Sequence, residues 1–302
     1  MINVFISILT YNDNKSTLEC LDSLEDLEKD KIDLNVVVVD NASIEKFTSK
    51  KDYKNFNLTI LRNEENLGFS GGHNIGIKYA IQKKADYVVI LNNDVIVEKN
   101  LIKNLLQAFS DRIGIVSPKI YFAKGHEFHE KRYKEFEKGN VIWYAGAKMD
   151  WDNIIGKHVG VDEVDNGQYD KQKETELATG CCMMVKKEVF EKIGLLDNKY
   201  FLYYEDADFS IKAKKSDFRI LFEPENVLWH KNAASTGGSG SELQDYYISR
   251  NRMLFGSRYA SFRVKLALFR ESIKIIKSGR PWQKIGIRDF YLRKFDKGSY
   301  SK

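Results

Sequence analysis

The chain contains the run Val36-Val37-Val38-Val39-Asp40-Asn41-Ala42-Ser43, four valines followed by a polar turn. Because side chains alternate between the two faces of a strand, an unbroken apolar run predicts a strand that is buried on both faces. Strands of this kind belong to parallel sheets that are covered by helices on each side. The polar turn would then lie at the carboxyl edge of the sheet, where open α/β sheets bind ligands.

Strand and helix patterns alternate on both sides of this run. The predicted strands are Asn3 to Thr10, Leu34 to Asp40, Leu58 to Leu61, Tyr87 to Leu91, Ile113 to Ile120 and Thr175 to Val185. The predicted helices are Ser16 to Leu27, His73 to Lys83 and Leu101 to Phe109. This order predicts an α/β fold with a mixed, mainly parallel sheet and flanking helices.

Polar residues follow several of the predicted strands. They are Thr10-Tyr11-Asn12, Asp40-Asn41, the segment from Asn66 to Asn74, and Asn92-Asn93-Asp94. Since the carboxyl ends of parallel strands share one edge of a sheet, we expect these groups to converge on a polar ligand.

The triplet Asn92-Asn93-Asp94 ends an apolar strand and is a candidate cation site. Mg²⁺ and Mn²⁺ prefer one or two carboxylates together with substrate phosphates. Asn and Asp are also common turn residues, so a purely structural turn is an alternative.

A second acidic cluster, Glu205-Asp206-Ala207-Asp208, follows the aromatic run from Tyr200 to Tyr204. Aromatic neighbours raise the pKa of a carboxylate and form a pocket for a sugar ring, which suits a general base. Acidic residues also favour helix N-termini, and this alternative is strongest for Asp208.

The glycine-rich segment from Asn66 to Gly76 precedes a predicted helix, so its backbone could approach an anion closely. It contains neither the nicotinamide fingerprint after the first strand nor a P-loop. Taken alone, the segment does not identify a ligand.

Composition narrows the class of protein. Three cysteines, Cys20, Cys181 and Cys182, indicate buried thiols in a reducing compartment, not a disulfide scaffold. No segment approaches about eighteen apolar residues, and the N-terminus lacks the features of a signal peptide. We therefore expect a cytoplasmic protein.

Charge is distributed unevenly along the chain. From Arg258 to Lys302 there are thirteen Lys and Arg against three Asp and Glu, while the remainder is mildly acidic. Basic and apolar residues alternate up to Arg293, which predicts an amphipathic helix pair. Residues 258–302 could dock on the cytoplasmic leaflet of the inner membrane, pack on the catalytic domain, or form a homodimer contact. No nucleic-acid motif is present.

These pieces together resemble the family 2 glycosyltransferases of GT-A fold, especially the bacterial rhamnosyltransferase-like branch. The matching motifs are Thr10-Tyr11-Asn12, Val39-Asp40-Asn41-Ala42-Ser43, Glu65-Asn66-Leu67-Gly68-Phe69, Leu91-Asn92-Asn93-Asp94, Thr179-Gly180, Tyr204-Glu205-Asp206, Trp229-His230 and Arg250-Asn251. The resemblance covers roughly residues 2 to 255.

The resemblance implies roles for individual residues. Thr10, Asn12 and Asp40 would hold the nucleobase and ribose of the donor. Asp94 and His230 would contact a divalent metal, and Asp206, paired with Glu205, would be the catalytic base. The other expected donor contacts are Asn41, Asn66, Gly72, Asn74, Asn92, Asn93 and Arg250. The first position of the metal motif is Asn92 where the family pattern has Asp, which removes one negative charge.

The expected function is an inverting glycosyltransferase with Mn²⁺ or Mg²⁺ as cofactor. The donor would be a UDP- or dTDP-sugar, rhamnose being a leading candidate, and the acceptor a hydroxyl of a cell-surface or lipid-linked glycan. Residues 1–235 would form the GT-A domain and 236–302 a hinge, at 236–241, with a basic helical extension. A sugar-1-phosphate nucleotidyltransferase and a non-catalytic nucleotide-binding scaffold are the alternatives.

Overall fold

The computed structural model describes residues 1–231 and 240–300, so positions 236–239 of the predicted hinge lie outside the described residues. The strands are β1 (Ile2–Thr10), β2 (Ile32–Asp40), β3 (Asn57–Arg62), β4 (Tyr87–Asn92), β5 (Val95–Val97), β6 (Ile113–Phe122), β7 (Ile142–Tyr144), β8 (Ala147–Asp150), β9 (Ile155–His158), β10 (Lys173–Glu174), β11 (Cys182–Lys186) and β12 (Arg219–His230). The helices are α1 (Asn14–Leu24), α2 (Gly68–Gln82), α3 (Leu101–Gln107), α4 (Lys187–Ile193), α5 (Glu205–Lys215), α6 (Glu242–Tyr259), α7 (Phe262–Ser278) and α8 (Pro281–Tyr291).

The central sheet has the order β10-β12-β6-β11-β4-β1-β2-β3, with β5 paired to β12 and β7 to β6. The pairs β1–β2, β2–β3, β1–β4 and β6–β12 are parallel. Strand β11 lies antiparallel between β4 and β6. Strands β8 and β9 form a separate hairpin. The predicted α/β class with a mixed, mainly parallel sheet is confirmed.

The valine run of β2 is buried on both faces, as predicted. Val36 and Val38 pack in a core with the α1 residue Leu21, whereas Val37 and Val39 pack in a second core with the α2 residue Ile77. All four valines are at most 1% exposed. Helices on each side of the sheet therefore account for the absence of a polar residue in this strand.

The glycines before His73 lie inside a helix, because α2 begins at Gly68, five residues earlier than predicted. A Cβ added at Gly72 would lie 2.2 Å from a methyl group of Leu9, and one added at Gly76 would lie 2.3 Å from Ser7 Oγ. Gly68 has a φ of +69° and lies against Phe201. These glycines let α2 approach β1 closely, a packing role that the sequence did not distinguish from donor binding.

One further prediction needs correction. The predicted strand from Thr175 to Val185 is interrupted: only Cys182–Lys186 is a strand, and β10 ends before Thr175. In the charged segment from Ala123 to Asn140, the Glu127 side chain is buried and accepts hydrogen bonds from the N–H groups of Gly125 and Gly139.

The C-terminal segment consists of three helices that pack on the α/β body. Helix α6 precedes the predicted helix pair, which corresponds to α7 and α8. Arg258, near the end of α6, forms ion pairs with Asp197 at 2.8 Å and Asp208 at 2.9 Å. Among residues 1–231 and 240–300, no helix combines the length and apolar character needed to cross a bilayer.

The loop before α5 has an unusual backbone. Phe201, Tyr203 and Tyr204 have φ values of +58°, +69° and +74°. Non-glycine residues with positive φ cost free energy and persist only where surrounding contacts hold them. Since the loop leads directly into Glu205 and Asp206, whatever holds the loop also positions those carboxylates.

Adjacent side chains of α6 hold this loop. Asn251 Nδ2 donates to the carbonyl oxygens of Tyr200, Leu202 and Tyr203 at 2.7, 2.8 and 2.9 Å. Arg250 is fully buried, and its guanidinium donates to carbonyl oxygens of Lys199, Tyr200 and Asp296. The Arg250-Asn251 pair therefore fixes the strained segment from inside the protein.

We predict that Asn251→Ala lowers the free energy of unfolding by about 2–3 kcal/mol, because it leaves buried carbonyl groups without a donor and releases a strained loop. Urea denaturation measures the change. The exposed α3 substitution Gln107→Ala is the matched control, with an expected change below about 0.5 kcal/mol. Equal stability of the two variants would contradict a clamping role for Asn251.

Candidate active site

The carboxyl end of β2 is organised by Asp40. Its fully buried carboxylate accepts hydrogen bonds from the N–H groups of Ser43 at 2.9 Å and Phe47 at 3.0 Å, and it pairs with Arg62. Burial alone would raise the pKa of Asp40, but these hydrogen bonds outweigh it and leave the pKa below the ordinary value. Asp40 is thus an ionised group that shapes the loop after β2.

The turn after β1 is joined to this loop. Asn12, with a φ of +55°, donates its N–H to Ser43 Oγ at 2.9 Å, and its Oδ1 accepts from the N–H of Ile44 at 2.8 Å. Positive φ is tolerated best by Gly, Asn and Asp, which suits asparagine at this position. The ends of β1 and β2 therefore form one polar surface at the sheet edge.

Hydrogen bonds extend this surface to the end of β4. Thr17 Oγ1 lies 2.8 Å from the buried Thr10 Oγ1, and Asn93 Nδ2 donates to Thr17 Oγ1 at 3.1 Å. On the other side, Asn41 Nδ2 donates to Asn66 Oδ1 at 2.8 Å. Thr10, Asn12, Asp40, Asn41, Asn66 and Asn93 thus belong to hydrogen-bonded groups near the strand ends.

Three residues from two strands meet beyond β4. His230 Nε2, at the end of β12, lies 3.2 Å from Asp94 Oδ1 and 3.3 Å from Asn92 Nδ2. Strand β5 pairs Val95 with His230, which fixes this approach. Burial alone would raise the pKa of Asp94, but His230 and Asn92 stabilise the carboxylate and keep its pKa below the ordinary value.

The side chains of Asp94 and His230 suit a divalent cation that also binds a phosphate group. Asp94 and His230 are both nearly buried, and neither Asp94 Oδ1 nor His230 Nδ1 has a hydrogen-bond partner of good geometry. Within the described residues, no group of three or more His, Cys, Asp or Glu side chains could hold a metal ion. One carboxylate and one imidazole leave coordination positions for phosphate oxygens, which Mg²⁺ and Mn²⁺ commonly accept.

Asp206 is held in a fixed orientation at the start of α5. Its Oδ2 accepts from the N–H of Gly180 at 3.1 Å and its Oδ1 from the N–H of Ala207 at 2.7 Å. Burial raises the pKa of Asp206, although the backbone hydrogen bonds partly offset this. A half-buried carboxylate with a raised pKa suits a proton acceptor.

Glu205 occupies a different environment. Its side chain is only 5% exposed, and Oε2 has no hydrogen-bond partner among the described residues. Burial, reinforced by the charge of Asp206, raises the pKa of Glu205 well above the ordinary value. The two adjacent carboxyl groups therefore differ. Burial favours the protonated form of Glu205, whereas Asp206 lines a cavity.

Asp206 and Asn92, the first residue of the Asn92-Asn93-Asp94 triplet, are anchored to adjacent backbone positions. Gly180 donates its N–H to Asp206, and the carbonyl oxygen of the next residue, Cys181, accepts from the N–H of Asn92 at 2.9 Å. The pairing of β11 with β4 fixes this arrangement, since Cys182 pairs with Leu91. Asp206 and the start of the Asn92-Asn93-Asp94 triplet are thus held at neighbouring positions of one sheet edge.

A cavity of about 430 Å³ opens beside Asp206. The α/β body contributes His158, Tyr203 and Tyr204, among others, and the C-terminal helices contribute the remaining wall: Ile248, Ser249, Arg252, Met253, Glu271, Ser272, Ile275, Gln283 and Ile287. The C-terminal helices therefore build one side of the candidate active site.

His158 lines the same cavity, although no sequence motif points to it. Its Nδ1 lies 3.1 Å from the carbonyl oxygen of Trp143, a contact in which the ring N–H donates, and burial lowers its pKa to about 4. The Trp143 ring contacts both His158 and His230, at centroid distances of 4.5 and 4.7 Å. Trp143 thus links the Asp206 cavity to the Asp94–His230 group, a connection that arises only in the folded chain.

Three predicted donor-binding residues have other partners. Gly72 packs on Leu9, and the buried Asn74 donates to Leu196 O and Asn198 Oδ1 at 2.8 and 2.7 Å. Arg250 is committed to backbone carbonyl groups beneath the loop before α5. These residues are buried and make their contacts within the protein. They are not part of the polar groups at the sheet edge.

Several curated proteins are similar to this chain in sequence. The low-salt glycan biosynthesis hexosyltransferase Agl10 of Haloferax volcanii is 27% identical over 72% of this chain and 66% of its own length. The dTDP-rhamnosyl transferase RfbF of Shigella flexneri is 24% identical over 83% of this chain and 79% of its own. An N-acetylglucosaminyl-diphospho-decaprenol L-rhamnosyltransferase of Mycobacterium tuberculosis is 22% identical over 68% of each chain.

Solved structures share the fold. GalNAc-T7, crystallised with UDP, GalNAc and Mn²⁺, superposes with a TM-score of 0.62 at 17% identity, covering 90% of this chain and 57% of its own. The mannosyltransferase PcManGT of Pyrobaculum calidifontis, in complex with GDP-Man and Mn²⁺, gives 0.52 at 16% identity, covering 99% and 76%. The architecture is therefore that of the GT-A glycosyltransferases.

The family model described as "Glycosyl transferase family 2" matches residues 5–194. That range begins within β1 and contains β2 to β11, the polar strand ends and the Asn92-Asn93-Asp94 triplet. The chain is a glycosyltransferase and belongs to glycosyl transferase family 2.

Proposed function

We propose that this protein is an inverting glycosyltransferase that moves a sugar from a nucleotide diphosphate donor to an acceptor hydroxyl, with Asp206 as base. The observation that carries the proposal is the anchoring of Asp206 and Asn92 on the adjacent residues Gly180 and Cys181. A proton acceptor and a cation-binding group held at one sheet edge can act on opposite sides of one anomeric carbon.

Asp206 would remove the proton of the acceptor hydroxyl as that oxygen attacks the sugar. The cavity beside Asp206 leaves the carboxylate accessible, while the N–H groups of Gly180 and Ala207 keep it oriented. Attack on the face opposite the leaving diphosphate is a single displacement, which inverts the anomeric centre. The transition state would have oxocarbenium character, as in glycoside hydrolysis.

Asp94 and His230, with Asn92 beside them, would hold Mn²⁺ or Mg²⁺. The bound ion would neutralise negative charge that develops on the leaving diphosphate. Asn92 supplies an amide where a second carboxylate would add negative charge, so this chain's own contribution to cation affinity rests mainly on Asp94 and His230.

The nucleoside end of the donor would bind at the ends of β1 and β2. Asn12 is exposed at the polar surface there, whereas the buried Thr10 and Asp40 hold its turns in place. Asn41, Asn66 and Asn93 brace the adjoining loops through hydrogen bonds. A UDP- or dTDP-sugar fits this proposal, and the names of two relatives make dTDP-rhamnose the first donor to test.

The acceptor would enter the cavity beside Asp206. Its volume of about 430 Å³ suits a sugar unit with part of an attached group, and its lining mixes polar and apolar side chains. We propose a hydroxyl of a cell-surface or lipid-linked glycan as acceptor, in line with the glycan and lipid-linked substrates in the relatives' names.

A sugar-1-phosphate nucleotidyltransferase and a non-catalytic scaffold are less well supported. The first would need a phosphate-binding loop directly after β1, where Tyr11 and Asn12 lie instead. The second gives no reason for a carboxylate with a raised pKa to line a cavity.

We predict that Asp206→Asn lowers kcat for sugar transfer by about 10²–10⁴-fold while donor binding persists, because the amide cannot accept the acceptor proton. Transfer assays with UDP-sugars and dTDP-rhamnose, together with calorimetric titration of the donor, separate the two effects. Glu188→Gln, on the exposed side of α4, is the matched control. Near-normal turnover of Asp206→Asn would show that another group is the base.

The pH dependence of transfer tests the same residue. Asp206 acts in its deprotonated form, and burial raises its pKa above the ordinary value of 3.8. Protonation, and with it the loss of kcat/KM, should therefore begin at a higher pH than for an exposed aspartate. A profile measured from about pH 4 to pH 8 checks this; constant activity down to the lower limit would contradict it.

We further predict that EDTA abolishes most of the transfer activity and that added Mn²⁺ or Mg²⁺ restores it. Asp94→Asn should weaken Mn²⁺ binding at least about tenfold, since it removes the carboxylate of the proposed site. Electron paramagnetic resonance in the presence of UDP measures the bound fraction of Mn²⁺. Full activity in EDTA would exclude the proposed role of Asp94.

A further inference from the structure

Helix α7 has two separate apolar stripes. The inner stripe, which packs on the rest of the protein, consists of Val264, Leu268 and Ile275, and the buried Ser272 lies beside them. The outer stripe faces away and consists of Phe262, Leu266, Phe269, Ile273 and Ile276. The outer residues are spaced by four, three, four and three positions, so they form one continuous row along the helix.

The outer stripe is exposed to an unusual extent. Phe262 is 84% exposed, Phe269 is 49% exposed and Ile276 is 47% exposed. Single exposed apolar residues are normal, but a contiguous apolar patch marks an interaction site. The inner stripe already satisfies the packing of α7 on the protein, so the outer stripe needs a different explanation.

Cations border the outer stripe on both sides. At about 100° per residue, Arg263, Arg270, Lys274 and Lys277 fall along one side and Lys265 along the other. Arg263 also pairs with the exposed Asp152, so the other four carry most of the uncompensated charge. All five side chains belong to exposed residues. The one acidic residue of α7, Glu271, lies on the inner side, where it pairs with Arg252 at 2.6 Å. The outward surface of α7 is therefore apolar at its centre and positive at its borders.

A groove between α7 and α8 continues this surface. Its volume is about 400 Å³, and its lining is Ile276, Lys284, Ile285, Arg288, Tyr291 and Leu292. Tyr291 and Leu292 are 46% and 58% exposed. Apolar walls with two cations in the lining suit an acyl chain whose headgroup carries a negative charge.

We propose that the outer stripe of α7 and the α7–α8 groove dock on the surface of an anionic lipid bilayer. Apolar side chains would enter the region between headgroups and acyl chains, while the bordering Lys and Arg side chains contact lipid phosphates. The proposal rests on the proposed function in one respect, which is the choice of a lipid-linked acceptor as the reason for docking.

Charge distinguishes a bilayer from a second copy of this chain. A two-fold interface through the outer stripe would bring the same five cations of each α7 towards those of its partner. That juxtaposition of like charges is unfavourable, whereas anionic lipid headgroups complement it. The pattern of charges therefore favours a lipid surface.

The same helix connects docking to catalysis. Glu271, Ser272 and Ile275 on the inner side of α7 line the cavity beside Asp206. A bilayer on the outer side would lie one helix away from that cavity. This arrangement brings the proposed acceptor pocket to the level at which the glycan of a lipid-linked acceptor leaves the membrane.

Co-sedimentation of the full chain with vesicles tests the proposal without donor or acceptor. We expect binding to vesicles of equimolar phosphatidylglycerol and phosphatidylcholine, and little binding to phosphatidylcholine alone. The variant Phe269→Ser/Ile273→Ser should reduce the partition coefficient at least about tenfold. Phe136→Ser, which changes a residue that is 74% exposed elsewhere, is the matched control and should bind like the wild type.

A charge-reversal variant tests the border cations. Lys274→Glu/Lys277→Glu should also weaken binding at least about tenfold, and salt at about 1 M should weaken binding of the wild type. Lys78→Glu, on the exposed side of α2, is its control. UDP binding and thermal stability should be unchanged in all four variants, which keeps this test separate from that of the proposed function.

Three results would overturn the proposal. The first is failure of the wild type to sediment with anionic vesicles. The second is equal sedimentation of the wild type and Phe269→Ser/Ile273→Ser. The third is a dimer in light scattering, formed without lipid, that the same double variant converts to a monomer, since the outer stripe would then be a subunit interface.

Discussion

The hydrogen bonds of two adjacent backbone groups, the N–H of Gly180 and the carbonyl of Cys181, underlie the arrangement of the candidate site. The first holds Asp206 at the start of α5, and the second holds Asn92 at the end of β4. Because both belong to the segment that leads into β11, the register of β11 against β4 sets the relative position of base and cation site. Residues from distant parts of the chain are thereby held at one rigid sheet edge.

The surroundings of the acidic residues shift their pKa values in different directions. Asp40 and Asp94 are stabilised as carboxylates by hydrogen bonds and neighbouring groups, whereas burial raises the pKa of Asp206. Differences of this kind between neighbouring acids often mark a division of roles in an active site. The strained loop before α5 also positions the site, because it leads into Asp206. Arg250 and Asn251 hold backbone conformations there that would otherwise relax.

Local sequence patterns predicted the elements and groups that depend on neighbouring residues. The valine run of β2 and the polar triplet after β4 are of this kind, because side-chain alternation and strand order specify them. The role of the α2 glycines was not predictable, since it depends on how closely that helix approaches β1. His158 was missed for a related reason: its contacts with Trp143 and the cavity arise only when the β8–β9 hairpin packs on the sheet. Arg250 fits a family motif, yet its burial is a property of the folded chain.

The most direct measurement of the central claim is a crystal structure with Mn²⁺ and an intact nucleotide-sugar donor, with the metal located by anomalous scattering. The predicted result is a Mn²⁺ ion bound by Asp94 and His230 on the donor diphosphate, with the Asp206 carboxylate facing the anomeric carbon from the opposite side. A metal bound elsewhere, or a donor whose anomeric carbon lies away from Asp206, would contradict it.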